Sequence, residues 1–223
     1  DTITHNLVNR TVAMAFFSNL RQFQNCFSNL KFRSYRDFTQ IKPFHNKISP
    51  NAPNSTSTPL ARNASIFSSE SRLLKIQADA FSECSALREI SFPDSLQEIG
   101  NGSFYKCKNL SEVHFSENLK VISNQAFYSC GLTSLELPDS LEILDESAFF
   151  KCNNLITVTL PPNVRYIGKW VFHGCNRLQY LEIRHDPEYI GEWIINRAAT
   201  IRCYKGSKAD RYCQESGFKV EYL

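Results

Sequence analysis

The chain contains 223 residues, of which 42% are apolar, 13% aromatic and 21% charged. This composition is typical of a folded protein with a hydrophobic core, and it excludes a largely disordered chain. No apolar run reaches the roughly 18 residues that a membrane-spanning helix requires, so we predict no transmembrane segment.

The net charge of +3 hides an asymmetry. Residues 1–62 hold eight Lys or Arg against Asp1 and Asp37, whereas the other residues hold 17 basic and 20 acidic side chains. Residues 43–59 are rich in Pro, Ser, Thr and Asn, a composition that favours an extended linker. We interpret residues 1–62 as a basic, aromatic-rich N-terminal segment, either a cap or a leader. Such a segment can indicate nucleic-acid binding, but no binding motif accompanies it, so no nucleic-acid partner is predicted.

A short motif recurs five times between residues 80 and 178. It reads Ala-Phe-x-x-Cys followed by Leu, with Ser or Val replacing Ala in two copies. Its cysteines step by 23, 23, 22 and 23 residues and are Cys84, Cys107, Cys130, Cys152 and Cys175. A fixed period of roughly 20 to 29 residues, rich in Leu and Ile, is typical of a leucine-rich solenoid, in which each repeat buries its apolar side chains against its neighbours.

Apolar residues two apart follow each motif and predict a half-buried strand in every copy. The pairs are Ile90 and Phe92, Val113 and Phe115, Leu135 and Leu137, Val158 and Leu160, and Leu181 and Ile183. Pro93, Pro138 and Pro161 follow three of these pairs and end the strands, since Pro lacks a backbone donor. The Ala-Phe-x-x-Cys arc is predicted to form a short helical turn on the opposite wall. Gly100 and Gly168 follow the motif Ile and predict a tight turn with positive φ.

These features predict an α/β, β-rich fold: a leucine-rich repeat solenoid of about five repeats of 22–23 residues with a C-terminal cap. We place the solenoid at residues 63–195 and the capping segment at residues 196–223. Within the cap, residues 200–207 predict a last strand and turn. Ala209 to Ser216 predicts a short helix that ends at Gly217, and Phe218 to Leu223 predicts a final strand.

Eight cysteines in a secreted chain would ordinarily suggest four disulfides. Here five of them share one repeat position, where a reduced Cys serves as a small buried apolar residue. Stacked about 4.8 Å apart with parallel Cβ directions, they are poorly placed for disulfides, so we favour a reduced column. Cys203 and Cys213 lie outside the column, and their pairing is left open.

The residues that alternate with the buried strand positions form an exposed face of the predicted sheet, which we call the sheet face. Its two columns are Glu89, Glu112, Ser134, Thr157 and Tyr180, and Ser91, His114, Glu136, Thr159 and Glu182. Neighbours in a column lie about 4.8 Å apart, so His114 is expected beside Glu136. Solenoids bind through such faces, which predicts a protein-binding surface for basic or polar partners, anchored by Tyr180. A solvated polar face without a partner is the alternative.

Catalytic and metal-binding patterns are weak. His114 near Glu112 and Glu136 resembles a general base, but no nucleophile or oxyanion donor is specified beside it. Cys175, two residues after His173, belongs to the buried column and is expected to be unreactive. The chain contains no glycine-rich phosphate loop, Cys-x-x-Cys pair or His-x-x-x-His spacing. We therefore predict no enzyme, no cofactor and no metal site.

The composite motif Ile-x-x-x-Ala-Phe-x-x-Cys-x-x-Leu-x-x-Ile-x-Leu-Pro-x-x-Leu resembles the BspA-like, or Treponema-type, leucine-rich repeats. The fourth copy, Leu144 to Val164, follows it almost throughout, and Lys205-Gly206-Ser207 with Tyr212 resembles the family's terminal segment. The resemblance covers about residues 66–223. It implies a surface or secreted protein that adheres to host cells, to other microbes or to matrix proteins such as fibronectin. No membrane or wall anchor is visible in the sequence.

Three hypotheses follow from the resemblance and the charges. The first is a non-enzymatic adhesin, cell-surface or secreted and monomeric, that binds protein ligands through the sheet face. The second is a cytoplasmic protein-interaction scaffold built on the same solenoid. In the third, the basic residues 1–62 fold onto the acidic sheet face and block it.

Overall fold

The computed structural model describes residues 73–223. The predicted N-terminal segment with its linker, the predicted start of the solenoid at residue 63 and Cys26 lie outside the described residues. Within residues 73–223, no helix has the length and apolarity that crossing a membrane requires.

The described chain winds into a stack of coils that contribute short parallel strands to shared walls. In chain order the elements are β1 (Lys75–Ile76), β2 (Glu89–Ser91), β3 (Glu98–Ile99), β4 (Glu112–His114), β5 (Val121–Ile122), β6 (Ile143–Leu144), β7 (Thr157–Leu160), β8 (Tyr166–Ile167), β9 (Tyr180–Ile183), β10 (Tyr189–Ile190), β11 (Thr200–Cys203), α1 (Lys208–Ser216) and β12 (Lys219–Tyr222). The leucine-rich solenoid predicted from the sequence is therefore confirmed.

One wall is a six-stranded parallel sheet of order β1-β3-β5-β6-β8-β10, with one strand from each coil. Its register stacks the motif position into a column of Ile76, Ile99, Ile122, Leu144, Ile167 and Ile190. Ile190 opens a sixth coil beyond the five copies counted from the motif. The motif does not reveal this coil because Ile195 stands where the motif has Phe and no Cys follows three residues later. Ile194 O still accepts the 2.8 Å hydrogen bond from Phe172 N.

The second wall carries the predicted strands and is interrupted at the third coil. It consists of a two-stranded sheet, β2-β4, and a four-stranded sheet of order β12-β11-β9-β7. Residues 133–137 lie between them and form no strand, so the strand predicted from Leu135 and Leu137 is wrong. Both side chains still pack against the core. The apolar alternation therefore predicts which side chains point inward, but it does not predict whether the backbone forms hydrogen bonds with the neighbouring strands.

The arc that carries the Phe-x-x-Cys residues is not helical, which corrects the prediction of a short helical turn. Its N–H groups alternate between turns within a coil and bonds to the next coil: Ser82 N donates to Asp79 O (3.1 Å), whereas Phe81 N donates to Ser103 O (2.6 Å). Each arc also places residues in the left-handed region, as at Ser129 (φ 56°). A helix would keep these donors internal, whereas here half of them join adjacent coils.

The glycines after the motif Ile serve a different purpose from the one predicted. Gly100 and Gly168 are not among the positive-φ residues, so the predicted tight turn is wrong. Instead, a Cβ at Gly100 would lie 2.5 Å from Ile76 O, and a Cβ at Gly168 would collide with the backbone of Glu146. These positions need Gly because two coils approach too closely for any side chain.

A stack of phenylalanine rings fills the core between the walls. Phe104, Phe127, Phe149 and Phe172 are 0% exposed. Neighbouring rings lie 5.1–5.5 Å apart with planes within 6° of parallel, beginning from Phe81. The stack runs through five coils, and each ring is covered by its neighbours because the repeats are in register.

The cysteine column lies beside this stack and is reduced, as predicted. Cys130, Cys152 and Cys175 are free thiols, and each is buried. Cys203 and Cys213 are also buried free thiols, so the pairing left open by the sequence does not occur. The column serves packing and hydrogen bonding.

The C-terminal cap closes the last coil with α1 and β12. Ser207 caps α1 by accepting a hydrogen bond from Asp210 N (3.1 Å), and Gly217 ends the helix in the left-handed conformation (φ 69°). β12 then adds to the four-stranded sheet in parallel with β11. The helix, its glycine stop and the final strand are thus confirmed.

Candidate functional site

The two columns of the sheet face form as predicted on either side of the third coil. The in-register pairs are Glu89 with Glu112, Ser91 with His114, Thr157 with Tyr180, and Thr159 with Glu182. Ser134 and Glu136 lie in the interrupted third coil and are exposed. Rigid parallel ladders therefore fix most of the predicted site residues about one strand spacing apart.

At one end of the sheet face, His114 meets two carboxylates. Its Nε2 lies 3.1 Å from Glu112 Oε1 and 3.4 Å from Glu89 Oε1. The sequence placed His114 beside Glu136, but within residues 73–223 the carboxylates that lie against its Nε2 are those of these two glutamates. The alternation gives the face and the column, whereas it does not give the rotamer that brings the ring to Glu89 of β2.

Next to this end, the interruption of the sheet leaves an open groove of about 690 Å³. It spans the third, fourth and fifth coils, and its lining residues are Leu135, Glu136, Leu137, Asp139, Thr157, Thr159, Leu160, Pro161, Pro162, Glu182 and Arg184. Four of the predicted face residues lie in it, and aliphatic and proline side chains supply its apolar part. The groove combines apolar surface with three carboxylates and one guanidinium.

Glu182 departs from the prediction of an exposed face. It is 8% exposed, and its Oε1 lies 2.5 Å from Arg184 Nε. The hydrogen bond and the charge of Glu182 raise the pKa of the Arg184 guanidinium above its ordinary value. Burial of this carboxylate is tolerated because the guanidinium compensates its charge. Alternation alone could not reveal that partner, because Arg184 lies just beyond the end of β9.

Tyr180 is half-buried, and its ring already has a partner. The guanidinium of Arg202 lies 3.7 Å from the ring centroid, a cation–π contact. Arg202 on β11 is in register with Glu182 on β9, and the Nε of Arg202 also pairs with Glu221 on β12 at 3.1 Å. The two columns therefore continue into the cap along β11, whose residues alternate between buried and more exposed positions in the same way.

The face offers hydrogen-bond acceptors and negative charge in a fixed array. Glu112, His114, Ser134, Glu136, Thr157 and Thr159 are exposed. Cys175, by contrast, is buried with its Sγ donating to Phe149 O (3.3 Å), and burial raises its pKa to about 12. A thiol in that state is a poor nucleophile at neutral pH. The exposed array can bind cationic and hydrogen-bonding groups of another molecule.

Parallel coils, a phenylalanine and cysteine core and an exposed strand face define a leucine-rich repeat solenoid. The family model described as "BspA type Leucine rich repeat region" matches residues 74–202 in six copies. The chain belongs to this family. Leucine-rich repeat proteins are in general non-enzymatic protein-binding modules, so the family supports a protein partner.

Three solved structures are similar to this chain. A Treponema pallidum leucine-rich repeat protein is 22% identical with a TM-score of 0.48, over 66% of this chain and 78% of that one. A Bacteroides ovatus leucine-rich repeat protein is 20% identical with a TM-score of 0.43, over 60% and 44%. A leucine-rich cell surface protein of Faecalibacterium prausnitzii is 21% identical with a TM-score of 0.33, over 66% and 29%. The comparison with curated proteins gives no match.

Proposed function

We propose that the protein is a cell-surface or secreted adhesin-like module that engages host matrix or cell-surface proteins through the sheet face. The observation that carries the proposal is the in-register array of polar side chains on the wall formed by β2, β4, β7 and β9, whose exposed members are Glu112, His114, Thr157 and Thr159. The backbone ladder holds the points at which these side chains are attached before a partner arrives, so little backbone conformational entropy is lost on binding.

The charge of the face favours basic partners. Glu112 and Glu136 are exposed carboxylates on neighbouring coils, and Asp139 adds a third in the groove. Charge complementarity of this kind raises association rates and selects against acidic partners. Apolar groove residues such as Leu135 and Leu160 would bury aliphatic parts of the same partner. A basic segment with apolar neighbours is therefore the ligand class we expect, with fibronectin as one matrix protein to test.

A cytoplasmic scaffold is the second candidate, and the reduced thiols favour it. Cys130, Cys152, Cys175, Cys203 and Cys213 form no disulfide, as is usual for proteins of reducing compartments. Surface labelling of intact source cells separates the candidates. Detection at the surface or in the medium supports the adhesin, whereas protein found only in lysed cells supports the scaffold.

A solid-phase binding assay tests the adhesin directly. The full chain is applied to immobilised fibronectin and a panel of matrix proteins, in parallel with a chain carrying Glu112→Lys and Glu136→Lys. Both positions are exposed, so the variant should keep the native circular dichroism spectrum. Saturable binding that the variant loses supports the proposal. Failure of the folded chain to bind any of the panel would move the proposal to the scaffold.

Residues 1–62 would compete for the same face if they fold back onto it. Their excess of basic side chains complements the carboxylates of the sheet face. A chain lacking residues 1–62 should then bind the panel more tightly than the full chain. Equal affinity of the two chains would exclude this blocking role.

A further inference from the structure

We propose that Glu89, Glu112 and His114 form a zinc site on the sheet face. Among residues 73–223, these three bring their ligand atoms together: one carboxylate oxygen from each Glu and an imidazole nitrogen all lie within 4.8 Å of one another. No metal-binding spacing is visible in the sequence, because the three ligands come from two coils. Zinc binding by these residues requires no protein partner and does not depend on the proposed function.

The distances suit a small tetrahedral ion. Zinc bonds to nitrogen and oxygen are about 2.0–2.2 Å long, which separates ligand atoms in a tetrahedron by about 3.3–3.6 Å. Nε2 of His114 lies 3.4 Å from Glu89 Oε1 and 3.1 Å from Glu112 Oε1. Shifts of a few tenths of an ångström would therefore bring the His–Glu separations to those of a zinc site.

Backbone pairing holds the ligands in place. β2 and β4 are parallel neighbours, with Glu89 opposite Glu112 and Ser91 opposite His114. Like charges directly opposite each other on neighbouring strands are destabilising. A divalent cation between the two carboxylates would reverse that repulsion. The ladder thus builds an electrostatic site that favours a cation of higher charge.

The ligand types select zinc over calcium or magnesium. Imidazole suits zinc and other late transition metals, whereas calcium and magnesium take oxygen ligands and higher coordination numbers. Three protein ligands leave the fourth tetrahedral position open. His114 and Glu112 are exposed, so that position faces solvent on the binding surface and is accessible to a ligand atom from a partner.

Calorimetric titration of the purified full chain with zinc ions tests the site without any protein partner. Glu112→Gln removes a carboxylate ligand while keeping the shape of the side chain, and His114→Gln removes the imidazole ligand while keeping a polar side chain. Glu117→Gln is the matched control, because it removes an exposed carboxylate of the same coil outside the cluster and outside the sheet face. Cobalt substitution adds a spectroscopic readout, since thiolate ligation gives an intense charge-transfer band that nitrogen and oxygen ligation lacks.

We expect one zinc ion per chain, more than about tenfold weaker affinity for zinc in each ligand variant, and unchanged affinity in Glu117→Gln. The cobalt spectrum should lack the thiolate band, and calcium or magnesium should not compete. Absence of saturable zinc binding would overturn the proposal. Binding that survives Glu112→Gln and His114→Gln would also overturn it, because the ion would then sit elsewhere, for example at His5, His45 or a cysteine.

Discussion

The thiol of Cys152 donates its hydrogen bond to the carbonyl oxygen of Phe127, 3.1 Å away and one coil earlier. The same bond joins Cys130 to Phe104 at 3.1 Å. The two residues of the motif are therefore linked across coils: the Phe stack supplies the carbonyl and the Cys column supplies the donor. A Cys at this position satisfies a buried carbonyl while remaining small and apolar enough for the core.

Burial of the thiols is expected to make the fold less stable at alkaline pH. Burial raises the pKa of Cys175 and of Cys213 to about 12, whereas a thiol in the unfolded chain titrates near about 8.5. Above that pH the unfolded state releases protons that the folded state retains, so the free energy of unfolding falls as pH rises toward about 12. Urea unfolding at pH 7, 9 and 10 should show this fall. A Cys213→Ala chain should show a shallower one, and a free energy that is constant from pH 7 to 10 would contradict the account.

Phe127 tests the contribution of the ring stack. It is 0% exposed and lies between Phe104 and Phe149, with centroids 5.1 and 5.3 Å away. Phe127→Ala should lower the free energy of unfolding by about 3–5 kcal/mol, because it removes a fully buried ring and leaves a cavity. Tyr128→Ala is the control, since Tyr128 is half-buried and its loss should cost less. A cost at Phe127 no greater than at Tyr128 would refute the stack as the main core contribution.

Gly168 tests the close approach of coils. A Cβ there would lie 2.6 Å from the carbonyl carbon of Asp145 and 2.9 Å from Glu146 Cα, and neither backbone atom can move alone. Gly168→Ala should therefore force the coils apart and destabilise by about 1–3 kcal/mol or more. Gly206→Ala is the comparison: its φ is +81° but no atom lies within 4 Å of the added Cβ, so only backbone strain is expected. Thermal unfolding should rank Gly168→Ala as the more destabilising change.

Asp210 tests the cap at acid pH. Its carboxylate accepts hydrogen bonds from Gly206 N (2.8 Å) and Gln214 Nε2 (2.9 Å), and the Gly206 N–H lowers its pKa below the ordinary value. The stability that the ionised carboxylate contributes is thus present above about pH 3.9 and is lost as pH falls through the lower folded pKa. Asp210→Asn should lower the melting temperature at pH 7. The gap to the wild-type chain should narrow at pH 3, and a gap independent of pH would argue against this role.

Much of the fold was predictable because repetition records side-chain positions. The 22–23-residue step placed the Phe stack, the Cys column and the paired face residues, since every coil repeats the same environment. The sixth coil was not predicted because Ile195 takes the place of the motif Phe. Likewise, the sequence shows that Gly100 lacks a side chain, and a tight turn is the usual explanation. The structure shows a different one: the carbonyl oxygen of Ile76 on the neighbouring coil leaves no room for a Cβ.

The candidate site was predictable in outline. Alternation places all ten residues on one wall, but it predicts neither their rotamers nor the side chains outside the two columns with which they pair. Glu182 is buried and pairs with Arg184, a residue beyond the end of the strand that the alternation does not include. The imidazole of His114 lies against Glu89 of the neighbouring strand and Glu112 of its own strand, contacts that alternation does not predict. Side-chain direction within a correct register is therefore the information that sequence periodicity lacks.

Binding through the sheet face is tested most directly by measuring the affinity of one captured matrix or cell-surface partner for three chains. These are the wild-type chain, the Glu112→Lys/Glu136→Lys face variant, and a Glu192→Lys/Glu215→Lys control whose equal charge change lies on the arc and on α1. We expect at least a tenfold loss of affinity in the face variant and near-wild-type affinity in the control. The affinity of the wild-type chain should also weaken with added salt. Equal losses in both variants, or wild-type affinity in the face variant, would contradict binding through the sheet face.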